Sequence, residues 1–174
     1  MGYAGGESSD PTYHNLGGHT ETLQVDFDPT KLAYSEVLAL FWNGHNPHAA
    51  ARSSQYMSAL FWHNAEQRRL AEDVAAQTSA DNGGAQVTTK LLEFKSFHLA
   101  EDYHQKYTLR RHRDFENALL EVYPDYVDFT NSTAAARLNG YLAGNGSSED
   151  LLHDLPLLGL SAQRQEQIRA MLRR

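Results

Sequence analysis

From Thr22 onward apolar and polar side chains alternate, with Leu23, Val25 and Phe27 on one side and Thr22, Gln24 and Asp26 on the other. A period of two predicts a half-buried strand, which Asp28-Pro29 ends. The period then changes. Val37, Leu38, Phe41 and Trp42 fall at helical spacing behind Ser35, a residue type that caps helix starts, and the run stops near Gly44. A second strand is predicted over 55–63. The helix after it has Asn64 as cap, Gln67 three residues on, and Leu70, Ala71, Val74 and Ala75 as its stripe. Asn82-Gly83-Gly84 breaks that helix before a third strand over 86–94. The segments 98–111, 114–123, 132–144 (Ser132 cap, Gly144 stop) and 161–174 (Ile168, Met171 and Leu172 on one side) are predicted helices. Residues 1–18, rich in Gly, Ser, Asn and Pro, are predicted loop.

Strands separated by helices and followed by a helical tail predict an α/β (α+β) fold of two layers, a mixed sheet with helices mainly on one face. Three strands are few for 174 residues, so the sheet is expected to lack a member. No internal repeat or long linker calls for a second domain.

Composition narrows the function. The chain is 41% hydrophobic and 21% charged, as expected of a soluble globular protein. No run approaches the roughly 18 apolar residues of a membrane helix, and "MGYAGGESSD" lacks the basic and apolar regions of a signal peptide. Neither a membrane partner nor export is expected, and the location implied is the cytoplasm. With 15 Lys and Arg against 22 Asp and Glu, the net charge of −7 argues against nucleic acid as a partner. The one dense basic cluster, "RRHR" at 110–113, is expected to be a solvated helix turn. The chain contains no cysteine, which excludes disulfides, thiolate metal sites and thiol catalysis by these residues themselves.

Candidate chemistry is sparse when each residue is taken singly. Tyr13 and Tyr56 lie beside loops and can each offer a phenolic hydrogen bond to an oxygen, yet either can equally be a core-edge aromatic. Glu21 enters the first predicted strand and is, alone, an ordinary exposed carboxylate. His98, Glu101 and Asp102 would share one face of a helix, with His104 nearby, a spacing compatible with a metal but common by chance. No metal is expected. No Gly-rich phosphate loop sits between a strand and a helix.

Taken in series, "GYAGG", "PTYHN", "GGHTETLQVDFDP", "YSEVLALFWNGHNP", "QYMSALFWHNAEQ" and "AEDYHQKY" resemble the peptide methionine sulfoxide reductases of the A type, over roughly residues 2–107. "AARLNGYLAG" is similar to the helical extension of one branch of that family, which would fill about 110–174 of a single domain. The resemblance implies a ferredoxin-like two-layer sandwich and reduction of the S epimer of methionine sulfoxide, free or in proteins. It implies a monomer with no bound cofactor and an external thiol reductant such as thioredoxin. It places the family's glutamate at Glu21, as general acid, and its two oxygen-binding tyrosines at Tyr13 and Tyr56. A carboxylic acid in an apolar pocket can give a proton to an oxygen that must leave as water.

Two departures stand beside the resemblance. The loop before Tyr56, "NPHAAARSSQY", offers no counterpart to an aspartate expected near the pocket. The family's nucleophilic cysteine, in a Gly-Cys-Phe-Trp motif on the strand just upstream of the "GYAGG" segment, is absent, as are its recycling cysteines. Reduction needs two electrons, which carboxyl and phenol groups do not supply. The first expectation is therefore a reductase shortened at its N-terminus, without its first strand and inactive as written. The alternatives are a methionine-sulfoxide-binding protein without turnover, and a metal-binding protein built on His98, Glu101 and His104.

Overall fold

The computed structural model describes residues 1–172, and the chain divides into two compact units, Met1–Glu101 and Asp102–Arg174. The first unit holds every strand of the described residues. β1 (Gly2–Ala4) is the centre of a three-stranded antiparallel sheet, with β2 (Thr20–Thr22) on one side and β5 (Phe97–Leu99) on the other. Gly2 faces Thr22 and Leu99, Tyr3 faces Glu21 and His98, and Ala4 faces Thr20 and Phe97. β3 (Ala59–Trp62) and β4 (Lys90–Glu93) form a separate parallel pair. Parallel strands need a long crossover, and α2 (Ala65–Asp81) supplies it. α1 (Tyr34–Asn43) packs with α2, burying Leu38, Trp42 and Ala71 against Leu60, Val74 and Leu91.

The expected mixture of helix and strand is present, with several changes to its parts. Residues 2–4 are not loop but a fully buried strand. Three residues carry too little pattern to show a period, and Gly and Ala give no β-branched signal. The strand predicted from Thr22 to Phe27 covers 20–22 instead, and Leu23 and Val25 are 66% and 51% exposed. Alternation makes a buried face only where a neighbour covers it, and these two side chains stay more than half exposed. Asn64 caps α2 as predicted, its side chain accepting the Gln67 N–H (2.9 Å), while Gln67 Oε1 takes the His63 N–H (2.9 Å). Ser35 caps nothing: α1 starts one residue earlier, and Glu36 reaches back to the Ala33 N–H (2.8 Å).

The second unit is helical: α3 (Tyr107–Arg110), α4 (Arg113–Leu120), α5 (Tyr126–Asn131), α6 (Thr133–Leu142), α7 (Ser148–Asp154) and α8 (Ala162–Leu172), with short 3-10 turns at Asp102–His104 and Leu155–Leu158. Their apolar sides meet in one core around Leu109, Leu119, Phe129, Leu138, Leu155 and Ile168. Ser132 caps α6 as predicted, accepting the Ala135 N–H (3.0 Å). Of the predicted C-terminal stripe, Ile168 is buried and Met171 is 39% exposed; residues 173–174 of that predicted helix lie outside the described residues. The basic cluster is only partly a solvated turn. Arg110 lies over the Tyr126 ring (5.6 Å), bonds the Asp102 carbonyl, and with Arg113 reaches the buried Glu116 at 3.4 Å.

Carboxylates of this unit are tied to donors. Tyr141 OH (2.8 Å) and then His153, with Arg137 at 3.0 Å, hold the Asp154 carboxyl below the usual range; Ser147 does the same for Asp150, and Arg164 for Glu121. A carboxyl lowered in the folded state contributes stability that is full above its unfolded pKa and is lost as pH falls through the folded value. The denaturation midpoint of the helical unit, followed by far-UV circular dichroism, is therefore expected to fall below about pH 4. Asp154→Asn is expected to flatten that dependence. A midpoint equal at pH 6 and pH 3 in both proteins would contradict it.

Candidate functional site

β2 brings Glu21 to the edge of the antiparallel sheet, where the chain at 54–55 lies against it. The Glu21 N–H donates to the Gln55 carbonyl (3.0 Å) and the Thr20 hydroxyl to the Ser54 carbonyl (2.9 Å). At Glu21 the strand therefore turns its backbone donor away from β1 and toward Gln55. The Gln55 side chain then makes two further bonds. Its Nε2 donates to Glu21 Oε1 (2.8 Å) and to the Tyr56 hydroxyl (3.0 Å). The Tyr56 hydroxyl in turn meets the Tyr13 hydroxyl at 3.4 Å. Glu21, Tyr56 and Tyr13, which no local spacing joins, thus end in one hydrogen-bonded row with Gln55 at its centre. The row is open to solvent, with Tyr56 61% exposed and Glu21 half-buried. The hydrogen bond with Tyr13, then desolvation and the charge of Glu21, push the Tyr56 phenol above the usual tyrosine range, so it remains a donor into alkaline pH.

Directly opposed residues of an antiparallel pair share a face, so Tyr3 of β1 stands beside Glu21. Tyr3 is 1% exposed and its hydroxyl donates to Glu101 Oε2 (2.6 Å), while Glu101 Oε1 accepts the Tyr13 N–H (3.0 Å). Glu101 therefore ties the Tyr13 turn to the central strand. Removing the Tyr3 donor by Tyr3→Phe is expected to cost about 1.5–3 kcal/mol, the range for a hydrogen bond to a charged group. It should also speed hydrogen exchange at the Tyr13 amide in an NMR measurement. An unchanged Tyr13 amide would rule out this anchoring.

His19 fixes the entry to β2. It is fully buried, accepts the Gly6 N–H at Nδ1 (3.1 Å) and donates from Nε2 to the Ser8 carbonyl (2.9 Å), so it is the neutral tautomer with hydrogen on Nε2. A Cβ on Gly6 would lie 2.3 Å from the His19 backbone nitrogen, which is why glycine stands there. His98 is not on a helix, as the sequence pattern suggested, but on β5 opposite Tyr3, its ring edge-on to His19 at 5.1 Å. The predicted helical trio of His98, Glu101 and Asp102 is therefore not formed: Phe97–Leu99 is strand and Asp102–His104 a 3-10 turn. Among the described residues no group of three or more His, Asp or Glu side chains is arranged to hold a metal.

A carboxyl, two phenols and an amide along one open row suit an oxygen-bearing ligand, to which they can offer hydrogen bonds and a proton. A family model described as peptide methionine sulfoxide reductase matches residues 1–136. This chain belongs to that family. A peptide methionine sulfoxide reductase of Drosophila melanogaster is 38% identical over 167 residues, which cover 95% of this chain and 67% of that protein. Peptide methionine sulfoxide reductase A5 of Arabidopsis thaliana is 33% identical, over 82% of this chain and 57% of its own length. The chain thus spans between about half and two thirds of the length of these two relatives. Among solved structures, reduced Mxr1 of Saccharomyces cerevisiae superposes with a TM-score of 0.57 at 26% identity, over 64% of this chain and 69% of that one. Gln55, Tyr3 and His19, none of them singled out by the sequence, complete the arrangement in this member of the family, together with Glu101, which the sequence offered only as a metal ligand and which here accepts from Tyr3 and Tyr13.

Proposed function

We propose that this chain forms the oxygen side of a methionine (S)-sulfoxide reduction site, acting on free or peptide-bound methionine sulfoxide. The observation that carries the reading is the row in which Gln55 joins Glu21 to Tyr56 and Tyr56 meets Tyr13. In this reading Tyr56 and Tyr13 hydrogen-bond the sulfoxide oxygen and Glu21 gives it a proton as the S–O bond breaks. The balanced change is one sulfoxide and two thiols to one thioether, one disulfide and one water. None of the 174 residues is a cysteine, so the attacking thiol comes from outside them, and a thioredoxin-type dithiol restores it. The same cysteine count favours a second reading, recognition of the sulfoxide without turnover.

A dithiothreitol-driven assay on a methionine S-sulfoxide separates the two. The chain as it stands is expected to give only the uncatalysed rate, and a fusion carrying a cysteine-bearing strand ahead of Met1 is expected to turn over. Turnover by the chain alone would overturn the assignment of the thiol. Sulfoxide binding without turnover in both proteins would leave the second reading standing and remove the first.

A further inference from the structure

We infer that Gln55 is a positioning residue which decides which oxygen of Glu21 carries the acidic hydrogen. The inference rests on the sulfoxide reading of this site. A protonated carboxyl has one hydroxyl and one carbonyl oxygen, and only the latter can face an N–H without setting hydrogen against hydrogen. Gln55 Nε2 points one hydrogen at Glu21 Oε1 from 2.8 Å, so Oε1 stays the acceptor and any proton that Glu21 takes up is directed to Oε2. The amide cannot swing away to release Oε1. Its second hydrogen is held by the Tyr56 hydroxyl at 3.0 Å, and the Gln55 backbone carbonyl is held by the Glu21 N–H at 3.0 Å. Three bonds thus fix one residue against the acid and one of the phenols, and the same amide leaves the Tyr56 oxygen accepting on its Gln55 side.

Two variants of nearly equal length isolate this role. Gln55→Met removes both donors and leaves the backbone bond. Gln55→Glu replaces the donor by a carboxylate, beside which a proton on Glu21 is drawn to Oε1, toward residue 55 and away from the ligand. In NMR titrations with the S and R epimers of N-acetylmethionine sulfoxide, the unaltered chain is expected to prefer the S epimer. Both variants are expected to lose about tenfold in S-epimer affinity, the scale of one well-made neutral hydrogen bond, with R-epimer affinity little changed. A melting temperature near that of the parent identifies the folded variant to be scored.

A measurement without ligand accompanies this one. The Gln55 side-chain amide protons are expected to exchange slowly and to shift when Glu21→Gln is introduced. Averaged, rapidly exchanging Gln55 amide protons would overturn the inference whatever the ligand does. An S-epimer preference that vanishes in Glu21→Gln yet survives both Gln55 variants would overturn it while leaving the sulfoxide reading intact. Absence of any epimer preference in the unaltered chain, with a protected Gln55 amide, would instead overturn the sulfoxide reading.

Discussion

Gly2→Ala is expected to destabilise the first unit by at least about 3 kcal/mol, the upper end of the usual cost of overpacking. The sign is the unusual part, because alanine in place of glycine inside a strand ordinarily stabilises by about 0.5–1 kcal/mol. Here the added Cβ would lie 2.3 Å from Phe97 Cζ and 2.4 Å from the His98 carbonyl oxygen. The ring can turn, but the carbonyl belongs to β5 and is fixed by the ladder it forms with β1. The two strands must part, and β1, the only strand among the described residues with neighbours on both sides, then loses pairing on one of them. Tyr3 moves with it, and so does the Glu101 anchor of Tyr13. Urea denaturation of the variant measures the effect. An unchanged or raised midpoint would mean that β1 does not pair with β5 in this register.

In the cysteine-supplied fusion, Glu21→Gln is expected to lower the rate of sulfoxide reduction by about 10²–10⁴, the range of a general acid. The amide is the same size and its oxygen can still accept the Gln55 N–H, so the fold should be kept and the loss should fall on kcat. Tyr56→Phe should cost about 10²–10³ by the same assay if its hydroxyl stabilises the oxygen as charge builds on it. Because Tyr56 and Tyr13 touch, the double Phe variant should lose less than the product of the two single losses. A Glu21→Gln enzyme with kcat intact would remove the proton-donor role.

What the sequence made legible follows from what is local. Asn64 with Gln67, and Ser132 with its N3 position, announce helix starts because a cap is a contact over three residues, and both caps form. The strands 2–4 and 97–99 are too short to show a period, and the second precedes a helix-like run, so both escape a pattern argument. Leu23 and Val25 fail for the opposite reason: their alternation is clear, but pairing partners are a long-range property. The same division runs through the site. Glu21, Tyr13 and Tyr56 could be singled out only together with the serial resemblance, since 34 and 43 residues separate the pairs that Gln55 and Tyr56 close. Gln55 sits beside Tyr56 in the chain, yet nothing local distinguishes its amide from any other surface glutamine. Its part is set by β2 lying against it.

The chain's two tryptophans, Trp42 in α1 and Trp62 in β3, both fall in the first unit. Residues 102–174 contain no indole, and their aromatic chromophores are tyrosines and the weakly absorbing Phe115 and Phe129. A denaturation curve traced at the tryptophan wavelength reports the half of the molecule that holds Glu21, and the helical half needs a dichroism or tyrosine signal of its own.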